Sequence, residues 1–180
     1  MMNKLFTPHN LADIQLKNRV VMAPMTRTRT LNDVADELVA LYYSQRASAG
    51  LIITEGLPVS EEGRGYLYTP GLYNEAQMHG WRKVTDAVHA KGGRIFAQLW
   101  HVGRMSHVSV LPENQAPVSS GTIPATNTTV FAYSDSGEPS AVTPSIPRAL
   151  ETEEVKRVTK DFVKSARLAI EAGFDGVEIM

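Results

Sequence analysis

Gln98 stands inside the apolar run Gly93-Arg94-Ile95-Phe96-Ala97-Gln98-Leu99-Trp100, where an unpaired side-chain amide costs about 1–3 kcal/mol. The alternation of a strand puts Gln98 and Trp100 on one side, with Trp100 nearer the C-terminal end. An amide offers one donor group and one acceptor. It can therefore read a ring edge that alternates N–H and C=O, such as the pyrimidine part of a flavin. A glutamine satisfied by neighbouring strands is the plainer alternative, and this residue alone leaves both open.

Other polar groups gather where apolar runs end. Pro24 interrupts Ala23-Pro24-Met25-Thr26 and removes a ladder donor, so a strand is irregular or finished there. Thr26 then presents a hydroxyl at the C-terminal mouth, the side on which parallel barrels keep their sites; a solvated threonine is the alternative. Gly56 follows Thr54-Glu55 and either lets backbone approach a ligand or permits a turn. Tyr66 is a pocket aromatic with a polar tip, or loop packing. His101 reads better as hydrogen-bonded structure than as a ligand. His9, His79, His89 and His107 lack metal-ligand spacing, so no metal is expected. Neither a dinucleotide-binding glycine fingerprint, a P-loop nor a nucleophile elbow is present.

The elements that must position these groups are four short apolar runs, predicting strands over about 20–25, 50–55, 94–99 and 176–179. Without clean alternation, such runs suit a sheet covered on both faces. Helical spacing fills the intervals: Asp36 to Ser48, Glu75 to Ala90 stopped by Gly92-Gly93, and Glu153 to Ala172. For the last of these, Thr152 is the expected N-cap and Gly173 the C-terminal stop. The order βαβαβαβ predicts parallel strands in sequence order with the helices on one face. Residues 5–18 are expected to form a short hairpin at the floor. Residues 102–150, with Pro112, Pro117, Pro124, Pro139, Pro144 and Pro147, exceed a simple βα connection. A linker is one reading; a structured excursion is preferred because Val130, Phe131, Tyr133 and Val142 give it something to bury.

Composition excludes several function classes. The net charge of −1 with interspersed signs carries no footprint of a nucleic-acid or membrane binder. With Cys 0, disulfides, thiolate metal sites and cysteine nucleophiles are excluded. Met1-Met2-Asn3-Lys4-Leu5-Phe6-Thr7-Pro8 has no apolar export core, and no apolar run reaches the ~20 residues of a membrane span. A cytoplasmic protein of one unit, 1–180, is the expectation.

Several linked stretches together resemble the old yellow enzyme family, and its bacterial, N-ethylmaleimide reductase-like ene-reductase branch most. They are Asn18-Arg19-Val20-Val21-Met22-Ala23-Pro24-Met25-Thr26-Arg27, Tyr42-Tyr43-Ser44-Gln45-Arg46-Ala47, Ile53-Thr54-Glu55-Gly56, Gly93 to Arg104 and Ala172 to Ile179. The resemblance implies an FMN-binding (β/α)8 barrel in which NAD(P)H is the reductant and an activated alkene the substrate. It would put Pro24, Met25, Thr26, Gly56 and Gln98 against the flavin, with Tyr66 and Trp100 lining the substrate pocket. A whole barrel needs about 250 residues, so these 180 would supply its first four strands, a half-barrel. The family's substrate-binding histidine after Gly-Val-Glu-Ile falls at Met180, and its proton-donor tyrosine has no counterpart here. The expectation is therefore a chain without catalytic residues, inactive alone. A non-catalytic half-barrel that self-associates through open strand edges is the second reading.

Overall fold

The computed structural model describes residues 4–180. Residues 1–3, where the stretch read for an export signal begins, lie outside the described residues.

An antiparallel hairpin of β1 (His9–Leu11) and β2 (Ile14–Leu16) comes first. It lies at the N-terminal end of the main sheet, where Lys17 Nζ donates to the carbonyls of Ala47 and Gly92. There follow β3 (Val21–Met22), α1 (Glu37–Ser44), β4 (Leu51–Pro58), α2 (Glu75–His89) and β5 (Ile95–Trp100). The excursion carries β6 (Val118–Ser119), β7 (Val130–Tyr133), β8 (Pro139–Val142) and β9 (Arg148–Ala149), and α3 (Thr152–Glu171) leads into β10 (Gly176–Ile179). Strands β3, β4, β5 and β10 form a four-stranded sheet in that order, with every pairing parallel. This is the order expected of βαβ crossovers.

The boundaries differ from the sequence expectation in several places, and α1 ends at Ser44, not Ser48. Strand β3 ends at Met22, not Met25, because Pro24 has no N–H to give the ladder. Strand β4 runs on to Pro58. Helix α3 takes Glu151, not Thr152, as its N-cap, because the Glu154 carboxylate accepts the Glu151 N–H at 2.8 Å and turns the chain one residue earlier. At its other end Gly173 adopts φ +90°, a conformation that costs glycine little.

The two faces of the sheet are unlike. Ile52, Leu57, Ile95, Ala97 and Leu99 point to the helices and are fully buried with Trp81, Val84 and Val88 of α2 and Ala169 of α3. Trp81 is the knot of this layer. Its ring lies 5.9 Å from that of Tyr43 on α1 and 5.5 Å from that of Phe174, which follows α3. Its indole N–H donates to Gly71 O at 3.1 Å. A second, smaller cluster joins Leu67 to Val110, Leu111, Val130 and Ala132, with Phe131, Tyr133 and Val142 packed against it. The β7–β8 hairpin thus folds back over the loop that follows β4.

Trp81→Ala removes the contacts that join α2 to Tyr43 of α1 and to Phe174 after α3, and leaves a cavity. Urea denaturation should show a loss of about 3–5 kcal/mol; a loss under about 1 kcal/mol would mean the layer does not depend on this ring.

Candidate functional site

The opposite face of the sheet collects polar groups at its C-terminal end. Gly56 pairs with Gln98, and Gln98 with Glu178 of β10. This register rests on an irregularity: between Ile53 and Gly56, β4 carries one residue more than β5. Thr54 Oγ1 holds the slip, accepting the Gln98 N–H at 3.0 Å and donating to Glu55 O at 2.8 Å. The extra residue lets Ile52 and Leu57 both face the helices while Gly56 and Gln98 face away.

Gln98 is buried, and its Nε2 donates to the Glu178 carboxylate at 3.3 Å. Trp100 lies flat on Gly56: a Cβ added there would meet the indole ring at 2.4 Å. The close approach this glycine permits is therefore by Trp100. Tyr66 stacks on the same indole, with centroids 5.9 Å apart and planes 23° from parallel. Tyr66, Trp100, His101, Val102, Met105 and Met180 enclose a space of about 320 Å³. The Trp100 Nε1–H is buried and makes no hydrogen bond. His101 Nδ1 accepts the Gly103 N–H at 3.1 Å, and burial holds its imidazole pKa below the usual value.

On the other flank, the loop after β3 meets β4 at Glu55, so that Thr26 and Gly56 each adjoin a residue of that contact. The Arg27 N–H donates to Glu55 Oε2 at 3.2 Å. Thr26 is half-buried, whereas Pro24 and Met25 are exposed. Gly56, Gln98, Trp100 and Tyr66 are thus contiguous, Thr26 is joined to them through its neighbour's backbone, and Pro24 and Met25 stand at the margin. No group of metal-ligating side chains occurs among the described residues.

Comparison with known proteins places this geometry. The family described as NADH:flavin oxidoreductase / NADH oxidase matches residues 4–180. The chain belongs to the old yellow enzyme family. It is 44% identical over 176 residues to 12-oxophytodienoate reductase 1 of Oryza sativa subsp. japonica, covering 97% of this chain and 44% of that protein. To 12-oxophytodienoate reductase 2 of Arabidopsis thaliana it is 42% identical, covering 97% of this chain and 46% of that one. The solved structure of morphinone reductase in complex with tetrahydroNAD superposes with a TM-score of 0.95 at 48% identity, covering 98% of this chain and 49% of that one. The old yellow enzyme homologue from Zymomonas mobilis gives a TM-score of 0.90 at 42% identity, covering 98% and 48%. The chain spans about half the length of the curated relatives it matches, and its four parallel strands are the first four of a (β/α)8 barrel.

An old yellow enzyme binds FMN, and the inner face offers a donor set that fits a flavin. The Gln98 amide can donate and accept, and a buried indole N–H lacks a partner. Two acids that the sequence motifs do not single out also belong to the site. Glu178 sits on the face of Gln98 because β10 alternates as β5 does; Gly176-Val-Glu-Ile already carried that parity. Glu55 is buried to 3% exposure among apolar strand residues, and an acid in so apolar a run was the signal.

Burial pushes the Glu55 carboxyl up to about 7 from 4.5, against the lowering effect of the Arg27 N–H, the Tyr43 hydroxyl and the Arg27 charge. The folded chain holds this proton more tightly than the unfolded one. The resulting stabilisation is complete below pH 4.5 and is lost as pH rises through about 7. The thermal midpoint should therefore carry a component that falls across that window and is absent from Glu55→Gln; an unchanged slope in the variant would contradict it. Gly56→Ala should displace the Trp100 indole, shifting its NMR cross-peak and leaving that of Trp81 in place. Two unmoved cross-peaks would show that Trp100 does not depend on Gly56.

Proposed function

We propose that this chain forms the flavin-reading and substrate-facing part of an FMN-dependent ene-reductase that uses NAD(P)H to reduce activated C=C bonds. The observation carrying the proposal is the inner face itself, where Gly56, Gln98 and Trp100 adjoin at the C-terminal end of a parallel sheet. Bound FMN supplies the hydride chemistry. Gln98 orients the pyrimidine edge through its amide, and Thr26 offers a hydroxyl from the loop after β3. Gly56 and the exposed Pro24–Met25 backbone complete that wall. Tyr66 and Trp100, stacked on one another, form an aromatic side that excludes water and receives the alkene. The complex of morphinone reductase with tetrahydroNAD supports a nicotinamide as the reductant. No residue of this chain is assigned the delivery of a proton to the alkene.

Titration of the chain with FMN, followed by flavin fluorescence, is the direct test. Saturable binding is expected, and Gln98→Leu should weaken it roughly tenfold, the worth of one buried hydrogen bond. Binding that ignores the variant would remove Gln98 from the site.

A second reading is favoured by the edges of the sheet. Among the described residues, strand β3 pairs only with β4 and β10 only with β5. Val20, Val21, Ile179 and Met180 are exposed there, with Ile179 at 71%. Such edges recruit other chains. The isolated chain is thus proposed to self-associate through them. Sedimentation at micromolar concentration should show a dimer or larger species; a single monomer would refute it.

A further inference from the structure

Thr26 and Gly56 lie on separate segments, and a half-buried hydrogen bond joins those segments. Its acceptor is the Glu55 carboxylate, one residue before Gly56, and its donor is the Arg27 N–H, one residue after Thr26. The other carboxylate oxygen accepts the Tyr43 O–H at 3.3 Å, and the Tyr43 oxygen accepts the Glu55 N–H at 2.8 Å. Glu55 is therefore anchored to α1 on one side and holds the loop on the other. Between β3 and α1, residues 23–36 form no helix or strand. They are fixed by isolated contacts, such as the Thr30 N–H donating to Tyr68 O at 2.9 Å. Among these, the Glu55–Arg27 bond is the one adjoining Thr26.

We infer that Glu55 is a positioning residue: its carboxylate sets the spacing between Thr26 on the loop and Gly56 on β4 by holding the Arg27 backbone against the strand. The inference rests on the flavin reading only for what that spacing serves; the hydrogen bond exists without it. A side chain placed to ionise here needs a reason, because the position is otherwise apolar and a buried carboxyl without partners is costly. The two donors supply its partners, and a charged acceptor makes both bonds roughly twice as strong as neutral ones.

Every group facing Glu55 is identifiable. The Tyr43 hydroxyl approaches from α1, and burial pushes its pKa well above the phenol range, so it stays a neutral donor. The Arg27 guanidinium comes from the loop and lies 4.2 Å from the centroid of the Tyr42 ring. Arg29 and Asp36 stand across a cavity of about 230 Å³ that Glu55 also lines. From β5 the neighbouring contact is the Gln98 N–H, which goes to Thr54 and not to Glu55.

The test follows the whole chain by NMR across about pH 5 to 9, reading the Glu55 carboxyl carbon and the amides of Arg27, Thr26 and Gly56. The Arg27 amide proton should move upfield as Glu55 is protonated, with the midpoint of the carboxyl, and the Thr26 and Gly56 amides should share that midpoint. Arg27 and Thr26 amides that stay flat while Glu55 titrates would overturn the inference. Tyr43→Phe removes the α1 anchor without touching the loop. In it the Glu55 midpoint should rise and Arg27 should still follow; loss of that coupling would assign the positioning to α1 instead. FMN titration at a pH above the Glu55 midpoint completes the comparison. Glu55→Gln keeps one acceptor oxygen and loses the charge, so binding should weaken about tenfold, and equal affinity would overturn the inference. A chain that takes up no FMN while Arg27 still follows Glu55 would count against the flavin reading alone and uphold the positioning role.

Discussion

The pairing of β4 with β5 carries one residue more on β4 between Ile53 and Gly56, and the division of the sheet into an apolar and a polar face depends on that residue. With regular pairing, Glu55 would sit opposite Gln98. Leu57 would then turn to the inner face and Gly56 to the helices, because side chains alternate strictly along a strand. Trp100 would lose the bare backbone it lies on, and the helix layer would lose a fully buried leucine. The Thr54 hydroxyl makes the slip affordable by accepting the N–H of Gln98, a donor that an interrupted ladder would otherwise leave unpaired in the interior.

The same slip brings an acid into the interior. Glu55 is nearly inaccessible, and its carboxyl is held up at about 7 by burial although two donors and a guanidinium favour its charge. Desolvation therefore outweighs the partners. Apolar contacts around Trp81 hold the layer by packing, whereas Glu55 links α1, β4 and the loop through directional bonds. The two contributions differ in kind: packing tolerates small shifts, while a hydrogen bond fixes where the Arg27 backbone stands.

How much of this could be read from the sequence varies with the interaction concerned. Four strands and three helices followed from apolar runs and glycine stops, because burial in a parallel sheet writes itself as short continuous runs. Gln98 and Trp100 shared a face by simple alternation. Strand β3 came out shorter because Pro24 acts on the ladder before it, and α3 began at Glu151 because Glu154 reaches back to it. The partners of Glu55 lie 12 and 28 residues away. No local pattern encodes that meeting; it exists only once α1 has packed and β4 has slipped. Glu178 is a different case, since its parity with Gln98 is local and legible in Gly176-Val-Glu-Ile. The stack of Tyr66 on Trp100 also depended on the loop after β4, whose path is fixed by the cluster under the β7–β8 hairpin.

The unequal faces bear on function through what each leaves unsatisfied. The helix face is closed: its core is mostly aliphatic and aromatic, the buried Thr85 and Ser165 hydroxyls donate to the carbonyls of Ala172 and Val59, and the Trp81 indole N–H donates to Gly71 O. The inner face keeps an amide, a carboxylate and a second indole N–H within one patch, and the last of these is buried without a partner. An orphan donor of that kind costs about 1–3 kcal/mol. Folding alone gives no reason to carry that cost at Trp100 when the equivalent group of Trp81 is satisfied. Both tryptophans are almost fully buried, so exposure does not distinguish them. They differ in the face they occupy, and the unsatisfied one lies at the C-terminal end of the strands, where a barrel meets its ligand.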